Sequence, residues 1–268
     1  MKMKDLISDY CSYFNMDIEE VSKRLKSDYF RNFKDYDSIC ENSFTFDMIK
    51  KYRNDIVEHY NDILYVEACM FFYKINCKYV FRYIKLIKLQ NDNKFVNSLL
   101  DVQRNIIRNS KKIVDLGAGI GAFTIDIKNI FADSDIFYVN LKSKQSEFAE
   151  SMFKKYGLNV NVCNNYDDIS NVDIVFSLDY FEHFENFKEE ISKVVNKLNP
   201  NIIVDTSDFS HVFIGHYQNY KIDSKFYNFK KCTSMFRNML NDLGYSLHNI
   251  SKLFWNDKPK IYFKKDLI

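Results

Sequence analysis

The stretch that decides the fold is KIVDLGAGIGAFTIDI, residues 112–127. It opens with a short apolar run, continues through three glycines within five residues, and ends in a segment with helical spacing of apolar residues. A short apolar run before a glycine cluster predicts a β-strand, and the segment after the cluster predicts a helix. Glycines at such a corner allow left-handed backbone and close approach to a ligand. The stretch therefore predicts a strand–turn–helix unit with a ligand at its turn.

The same alternation of strands and helices continues to residue 268. The predicted strands are residues 112–116, 136–141, 159–163, 172–178, 202–205, 246–255 and 260–264. The predicted helices are residues 124–131, 146–156, 187–198 and 226–243. Alternation of this kind predicts an α/β fold with a doubly wound, mainly parallel sheet. The two final strands, joined by a turn at residues 256–259, would add an antiparallel edge.

Residues 1–109 show a different pattern. Segments 47–64, 63–87 and 95–107 carry apolar residues at three- and four-residue spacing, without proline or glycine. No glycine precedes Gly117. The chain is therefore predicted to have two domains, an N-terminal helical cap or substrate domain at residues 1–109 and a ligand-binding α/β domain at residues 110–268.

Composition and charge narrow the possible functions. The 268 residues contain 38 Lys and Arg against 36 Asp and Glu, so no global field recruits nucleic acid or an anionic membrane. The most apolar segment, residues 63–87, contains five charges and cannot span a bilayer. Asp5 and Asp9 interrupt any signal-peptide pattern. The six cysteines form no CxxC pair and no Cys/His ligand spacing. We expect a soluble, cytoplasmic protein with reduced thiols and no metal site.

The glycine motif Asp115-x-Gly117-x-Gly119-x-Gly121 resembles motif I of the class I S-adenosylmethionine (SAM)-dependent methyltransferases. Residues 172–184, VDIVFSLDYFEHF, are similar to the family's fourth strand and following loop, which often contains Glu-His. The resemblance covers residues 111–206 well and continues to residue 268 by the order of elements. It implies a Rossmann-like, seven-stranded methyltransferase domain. Residues 1–109 resemble no family.

The resemblance implies SAM as the cofactor and S-adenosylhomocysteine as its product. The implied cofactor-binding residues are Asp115, Gly117, Ala118, Gly119, Gly121, Asn140, Leu141, Asn165, Tyr166, Ser177 and Leu178. The glycine motif would hold the methionine end, Asn140 the ribose, and Asn165 with Tyr166 the adenine. Ser177 and Leu178 would close over the sulfonium.

A nicotinamide-binding fold is the alternative for the same glycines, because Gly117-x-Gly119-x-x-Ala122 satisfies a relaxed dinucleotide fingerprint. Both families usually place an acid at the end of the second strand, where this chain has Asn140. An asparagine offers the ribose one acceptor and one donor, at a cost of about 1 kcal/mol relative to a carboxylate. Asp115 and the Glu182-His183 segment favour the methyltransferase.

Candidate catalytic residues follow the fourth and fifth strands. His183 is the candidate general base, since an imidazole titrates near neutral pH; alternatively, Glu182-His183 only braces its loop. Asp179 and Tyr180 would contact the methionine moiety or the substrate. A second group follows the fifth strand and would bind a polar substrate or lie exposed in a loop: Asp205, Asp208, His211 and His216.

A row of basic residues lies on one face of the helix predicted at residues 74–88: Lys74, Lys78, Arg82, Lys85 and Lys88. It is either a patch for RNA or an anionic substrate or the solvated side of an amphipathic helix. The function we expect is methyl transfer from SAM to an oxygen or nitrogen atom of a small metabolite or natural-product intermediate. The alternatives are an RNA or protein methyltransferase, transfer of the aminocarboxypropyl group of SAM, and an inactive partner subunit.

Overall fold

A computed structural model describes residues 1–26, 63–89, 97, 99–207, 209, 216–217, 219–248 and 259–268. Its strands are β1 (Lys112–Leu116), β2 (Asp135–Val139), β3 (Asn161–Cys163), β4 (Ile174–Ser177), β5 (Ile202–Asp205), β6 (Asn219–Ile222), β7 (Lys225–Asn228), β8 (Tyr245–His248) and β9 (Lys260–Lys264). Seven of them form one sheet in the order β3-β2-β1-β4-β5-β9-β8. The first five are parallel, and β9 pairs antiparallel with both β5 and β8. The predicted α/β class and doubly wound, mainly parallel sheet are confirmed.

The strand order places a switch point between β1 and β4. From β1 the chain first adds β2 and β3 on one side of the sheet. It then returns to add β4 and β5 on the other side of β1, all in the same strand direction. In open parallel sheets the crevice outside the carboxyl ends of the strands at such a point is the usual ligand site. The glycine cluster follows β1 directly and so lies at this crevice.

Helices cover both faces of the sheet. They are α1 (Met3–Phe14), α2 (Ile18–Lys26), α3 (Ile63–Phe72), α4 (Lys78–Lys88), α5 (Asp101–Asn109), α6 (Ala122–Ile130), α7 (Lys144–Lys155), α8 (Phe187–Leu198) and α9 (Phe229–Asp242). A π-helical turn, Tyr73–Cys77, joins α3 to α4. Side chains alternate across β1: Ile113 packs with α6, α7 and the N-terminal helices, whereas Val114 packs with α8 and α9.

The N-terminal helices are attached to the α/β part through specific contacts. The rings of Tyr10 and Phe14 of α1 pack against the ring of Phe148 of α7, with centroid distances of 6.1 and 5.7 Å. The hydroxyl of Tyr73 donates a hydrogen bond to the carboxylate of Asp126 on α6. The predicted helical character of this region holds for the described part, while most of the helix predicted at residues 47–64 lies outside it.

One predicted element is wrong. Residues 226–228 belong to strand β7 of a separate hairpin with β6, and α9 begins only at Phe229. The two-residue turn, Asp223 and Ser224, has positive φ at both positions, as a tight hairpin turn requires. Because neither turn residue is a glycine, the sequence carries no obvious hairpin signal. The strand predicted at residues 246–255 is seen as β8, and its remainder lies outside the described residues.

Within the part of the chain that the structure describes, no helix combines the length and apolar character needed to cross a bilayer. The cysteines in that part carry free thiols: Cys11, Cys69, Cys77, Cys163 and Cys232. The sixth, Cys40, lies outside the described residues.

Candidate functional site

The three glycines after β1 all have positive φ but serve different purposes. A Cβ on Gly117 would lie 2.6 Å from the ring of Tyr180, so the absence of a side chain lets that ring lie directly on the turn. A Cβ on Gly121 would lie 2.8 Å from Phe153 and 2.9 Å from Ala149. Gly121 therefore allows α6 to pack closely on α7, and this glycine does not face the crevice.

Gly119 is the one of these three glycines at which a Cβ would have no neighbour closer than 3.4 Å. A Cβ there would meet only the Gln145 amide oxygen at 3.4 Å and the Cys69 sulfur at 3.9 Å within ordinary contact range of other side chains. Its N–H donates to Oδ1 of Asn140 at 3.3 Å, and its carbonyl accepts from the Tyr138 hydroxyl at 2.5 Å. These two bonds hold the turn against the end of β2.

A cavity of about 430 Å³ opens in front of this turn, at the carboxyl ends of β1 to β4. The predicted cofactor-binding residues that line it are Asp115, Gly117, Ala118, Gly119, Asn140, Leu141, Asn165, Tyr166 and Leu178. The predicted catalytic residues Asp179, Tyr180 and His183 line it as well. Gly121 and Ser177 lie outside it. Ser177 is fully buried and donates to Oδ1 of Asp205 at 3.2 Å, so its hydroxyl points beneath the crevice.

Asp115 sits at the bottom of the crevice. Its carboxylate is buried and accepts a hydrogen bond of 2.6 Å from the hydroxyl of Thr124. Burial raises the pKa of Asp115 to about 7, and the bond from Thr124 only partly opposes the rise. A cationic group bound nearby would favour the ionised form, which suits the expected recognition of an amino group.

Glu190 of α8 organises the wall on the side of β3 and β4. One of its oxygens accepts from the hydroxyl of Tyr166 at 2.7 Å and from the hydroxyl of Tyr180 at 2.8 Å. The ring of Tyr180 is thereby held against Gly117. Oδ1 of Asn165 accepts from the backbone N–H of Asp167 at 3.0 Å, so one lone pair remains for a ligand amine.

Residues of the N-terminal helices close the crevice from above. Cys69 and Phe72 of α3, with Tyr73 and Cys77 of the π-helical turn, line the cavity. Burial raises the pKa of both cysteine thiols, so this wall is uncharged. π-helical turns occur often at functional sites.

Asp179 and His183 of the loop after β4 lie close to His216, which precedes β6. Nε2 of His183 lies 3.7 Å from Oδ2 of Asp179, and Nε2 of His216 lies 3.7 Å from Oδ1 of the same carboxylate. Burial acts to raise the pKa of Asp179, but the two imidazoles outweigh it and hold the pKa well below its usual value. Asp179 itself adopts a left-handed conformation with φ of 62°.

Several site residues escape sequence analysis. Gln145 and Glu190 lie in the first turns of α7 and α8, and only the strand order brings them to the cavity. The sequence of α3 does indicate its contribution: apart from Glu67 its residues are apolar or aromatic around the helix, which is typical of a helix buried on more than one side. Of the residues expected after β5, His216 joins the loop, Asp205 is buried beside Ser177, and Asp208 and His211 lie outside the described residues.

The basic row runs from Lys74 in the π-helical turn along α4 to Lys88 and does not line the cavity. Lys74, Arg82 and Lys85 are exposed, and none of the five basic residues lines the crevice. Lys88 instead donates to the carbonyl of Arg108, joining α4 to α5.

Comparison with known proteins identifies the central part of the chain. The family model described as "Methyltransferase domain" matches residues 114–203, about a third of the chain, from β1 to β5. No curated protein is significantly similar in sequence.

The chain is also similar to solved structures, including the following three. A protein from Staphylococcus aureus assigned as a caffeoyl-CoA O-methyltransferase is 15% identical; the match covers 80% of this chain and 98% of that one, with a TM-score of 0.49. Magnesium protoporphyrin IX methyltransferase from Synechocystis PCC 6803, solved with bound SAM, is 14% identical, with coverages of 88% and 95% and a TM-score of 0.46. The match to a protein from Nostoc punctiforme PCC 73102 assigned as an O-methyltransferase covers 67% of this chain but only 58% of that one, at 15% identity and a TM-score of 0.41.

Proposed function

We propose that this chain is a class I SAM-dependent methyltransferase, that it binds SAM in the crevice, and that it transfers the methyl group to an oxygen or nitrogen atom of a small molecule. The family match over residues 114–203 and the sheet order support this proposal. The observation that carries the proposal is the cavity in front of Gly119, enclosed by the glycine turn below and by α3 above. Its volume of about 430 Å³ falls in the range of small-molecule sites.

The residues around the cavity fit SAM. Among the described residues, the amide nitrogen of Gln145 is buried and has no hydrogen-bond partner, although it lines the cavity beside Gly119. A buried donor of this kind costs free energy unless a ligand accepts its hydrogen bond. Asp115 would accept from the ligand's amino group, and Asn140 would face the ribose. When bound, SAM supplies an activated methyl group on a sulfonium.

The remaining residues of the crevice would position the acceptor. Asp179, Tyr180 and His183 line the wall next to Leu178, where the sulfonium is expected. Tyr180 is held by Glu190, so its ring gives that wall a fixed shape. Methyl transfer is an in-line displacement with a good leaving group, and correct positioning alone supplies much of the rate. Residues 1–109 would act as the cap that excludes water and selects small acceptors.

Calorimetry tests the proposal. The purified protein should bind SAM and S-adenosylhomocysteine with micromolar affinity, about −8 kcal/mol. NAD serves as the matched control, since its binding would instead support the dinucleotide fingerprint. Heat with NAD but none with either sulfur ligand would overturn the assignment. Mass spectrometry of products formed from candidate acceptors then distinguishes methyl from aminocarboxypropyl transfer, because the two groups add different masses.

A further inference from the structure

We propose that Asp179, His183 and His216 bind a divalent transition-metal ion, and that this ion holds and acidifies a hydroxyl group of the methyl acceptor. The use of the ion rests on the proposed function, whereas the metal site itself rests on the three side chains. It also departs from the expectation of no metal site, which considered only the spacing of residues along the sequence.

The geometry suits one shared ion. The three ligand atoms lie within 4.8 Å of one another. Nε2 of each imidazole lies 3.7 Å from a different oxygen of Asp179. Two ligands that each lie about 2.1 Å from one metal ion can be separated by up to about 4.2 Å. The two nitrogen–oxygen separations of 3.7 Å are within this limit, so an ion fits between the carboxylate and each ring.

Two parts of the chain that are distant in sequence converge on this point. The loop after β4 carries Asp179 and, in the 3₁₀ turn Phe181–His183, His183, whereas His216 lies between β5 and β6. The rings of the two histidines meet edge to face with centroids 4.8 Å apart. Asp179, whose carboxylate oxygens lie 3.7 Å from the two rings, has a left-handed backbone with φ of 62°. Conformations of this type cost free energy and concentrate at functional sites.

The cluster of Asp179, His183 and His216 is accessible from the side that faces the cavity. His216 is 3% exposed, and the His183 side chain is 9% exposed. Asp179 is more accessible, and both Asp179 and His183 line the cavity. An ion held by the three protein groups would thus have its remaining coordination positions directed into the site where the acceptor is expected.

The donor set determines the class of ion. Two imidazoles and one carboxylate bind first-row divalent ions such as Mn²⁺, Fe²⁺, Co²⁺ or Zn²⁺, and three protein ligands leave positions for water or substrate. Mg²⁺ and Ca²⁺ prefer sites made only of oxygen atoms. The carboxylate of Asp179 contributes a negative charge that partly neutralises the cation, whereas the two neutral imidazoles contribute none.

In the reaction, the ion would act as a Lewis acid on the acceptor oxygen. The hydroxyl loses its proton to solvent, the oxygen forms a bond to the methyl carbon, and the carbon–sulfur bond breaks with its electron pair going to sulfur. The sulfonium becomes a neutral thioether, and one proton is released for each methyl ether formed. In this arrangement His183 is a metal ligand and does not serve as the general base that the sequence suggests.

Metal titration of the full-length protein tests the site. Protein stripped with EDTA and dialysed is titrated with Co²⁺, Mn²⁺ or Zn²⁺ by calorimetry, and Co²⁺ binding is followed by visible absorption. We expect one ion per chain and a Co²⁺ spectrum typical of nitrogen and oxygen ligands. His183→Gln and His216→Gln should each weaken affinity at least tenfold, whereas His248→Gln, a half-buried histidine of β8 outside the cavity, should not.

The outcomes separate this inference from the proposed function. Binding of S-adenosylhomocysteine by the stripped protein tests the cofactor site alone and should be unaffected by His216→Gln. If the parent protein binds S-adenosylhomocysteine but no stoichiometric metal, the metal site is wrong and the methyltransferase proposal stands. If the parent protein binds the metal but not S-adenosylhomocysteine, the metal site stands and the methyltransferase proposal is wrong. Circular dichroism checks that each variant is folded, and the parent titration decides the case even where a variant is not.

Discussion

At the scale of single residues, the glycine motif shows how one pattern can hide three structural roles. The sequence presents Gly117, Gly119 and Gly121 as equivalent, because each residue has the same spacing from the next. In the structure only Gly119 leaves its space to the cavity, while Gly117 makes room for Tyr180 and Gly121 for α7. Spacing predicts the turn, but the identity of the packing partners depends on distant parts of the chain.

Gly119→Ala should weaken binding of S-adenosylhomocysteine about 10- to 100-fold with little change in fold. The new methyl group would meet protein atoms only at 3.4 Å or more but would project toward the ligand. The left-handed backbone costs an alanine about 1–2 kcal/mol. Gly157→Ala is the matched control, because Gly157 has a similar φ of 61° and no neighbour within 4 Å. Thermal unfolding should show equal destabilisation of the two variants. Calorimetry should show a loss of affinity only for Gly119→Ala; equal affinities of the two variants would contradict the placement of the ligand beside Gly119.

Asn140→Asp should keep or modestly improve SAM affinity. The substitution retains an oxygen that can accept from the Gly119 N–H and adds a second acceptor for the ribose. It removes the weak 3.3 Å hydrogen bond from the amide to the Leu141 carbonyl, which limits the gain. The measurement is calorimetry beside Asn140→Ala, which should bind more weakly than the parent. A large loss in folded Asn140→Asp would mean that this side chain does not face the ribose.

Asp115 should give the unfolding free energy a distinct pH dependence. Its pKa of about 7 in the folded protein lies above the value of about 4 expected in the unfolded chain. The folded state therefore binds more protons between these values, and the contribution to stability is complete below about pH 4 and is lost as pH rises through 7. Urea unfolding measures the free energy of unfolding of the parent and of Asp115→Asn. The difference between the two free energies should change from about pH 4 to pH 7 and stay constant above pH 7. A difference independent of pH would place the titration elsewhere.

At the scale of elements, the regular strands and helices could be predicted from the sequence because their signals are local. The limits of β1, β5 and α8 agree with the prediction to the residue. The hairpin β6–β7 could not be predicted, since its stability depends on Tyr220 packing into the core beside Phe187 and Phe209. The candidate site divides in the same way: the turn is local, whereas Gln145, Glu190 and His216 reach it only through the tertiary fold.

The basic row on α4 should behave as a solvated helix face. Arg82→Gln and Lys85→Gln together remove two exposed charges that do not line the cavity. We expect unfolding free energy to change by about 0.5 kcal/mol or less for each substitution and S-adenosylhomocysteine affinity to stay unchanged. Filter binding with single-stranded RNA at several salt concentrations checks the alternative. Binding by the parent that falls with salt and is lost in the double variant would instead favour a nucleic-acid substrate.

At the scale of the whole molecule, the predicted cap and the α/β part share one hydrophobic core. Buried residues of α1 and α4, such as Leu6 and Ile84, belong to the same cluster as Ile113 and Phe176 of the sheet. A second cluster, which includes Leu198, lies on the opposite face with α8 and α9. The division at residue 109 remains a prediction about sequence organisation. The continuous cluster indicates that the described N-terminal helices and the α/β part depend on each other for stability.

Unfolding of the intact chain should accordingly be a single cooperative transition, and Leu6→Ala should lower its midpoint as Leu198→Ala does. Both leucines are fully buried, one in each cluster, so each substitution should cost about 2–5 kcal/mol. If the cap were an independent unit, Leu6→Ala would split the transition in two, and Leu198→Ala would leave the cap's part unshifted. Far- and near-ultraviolet circular dichroism during heating distinguish these cases, because coincident curves require a common transition. S-adenosylhomocysteine should raise that same midpoint, since a ligand bound under α3 stabilises only the state in which cap and sheet are both folded.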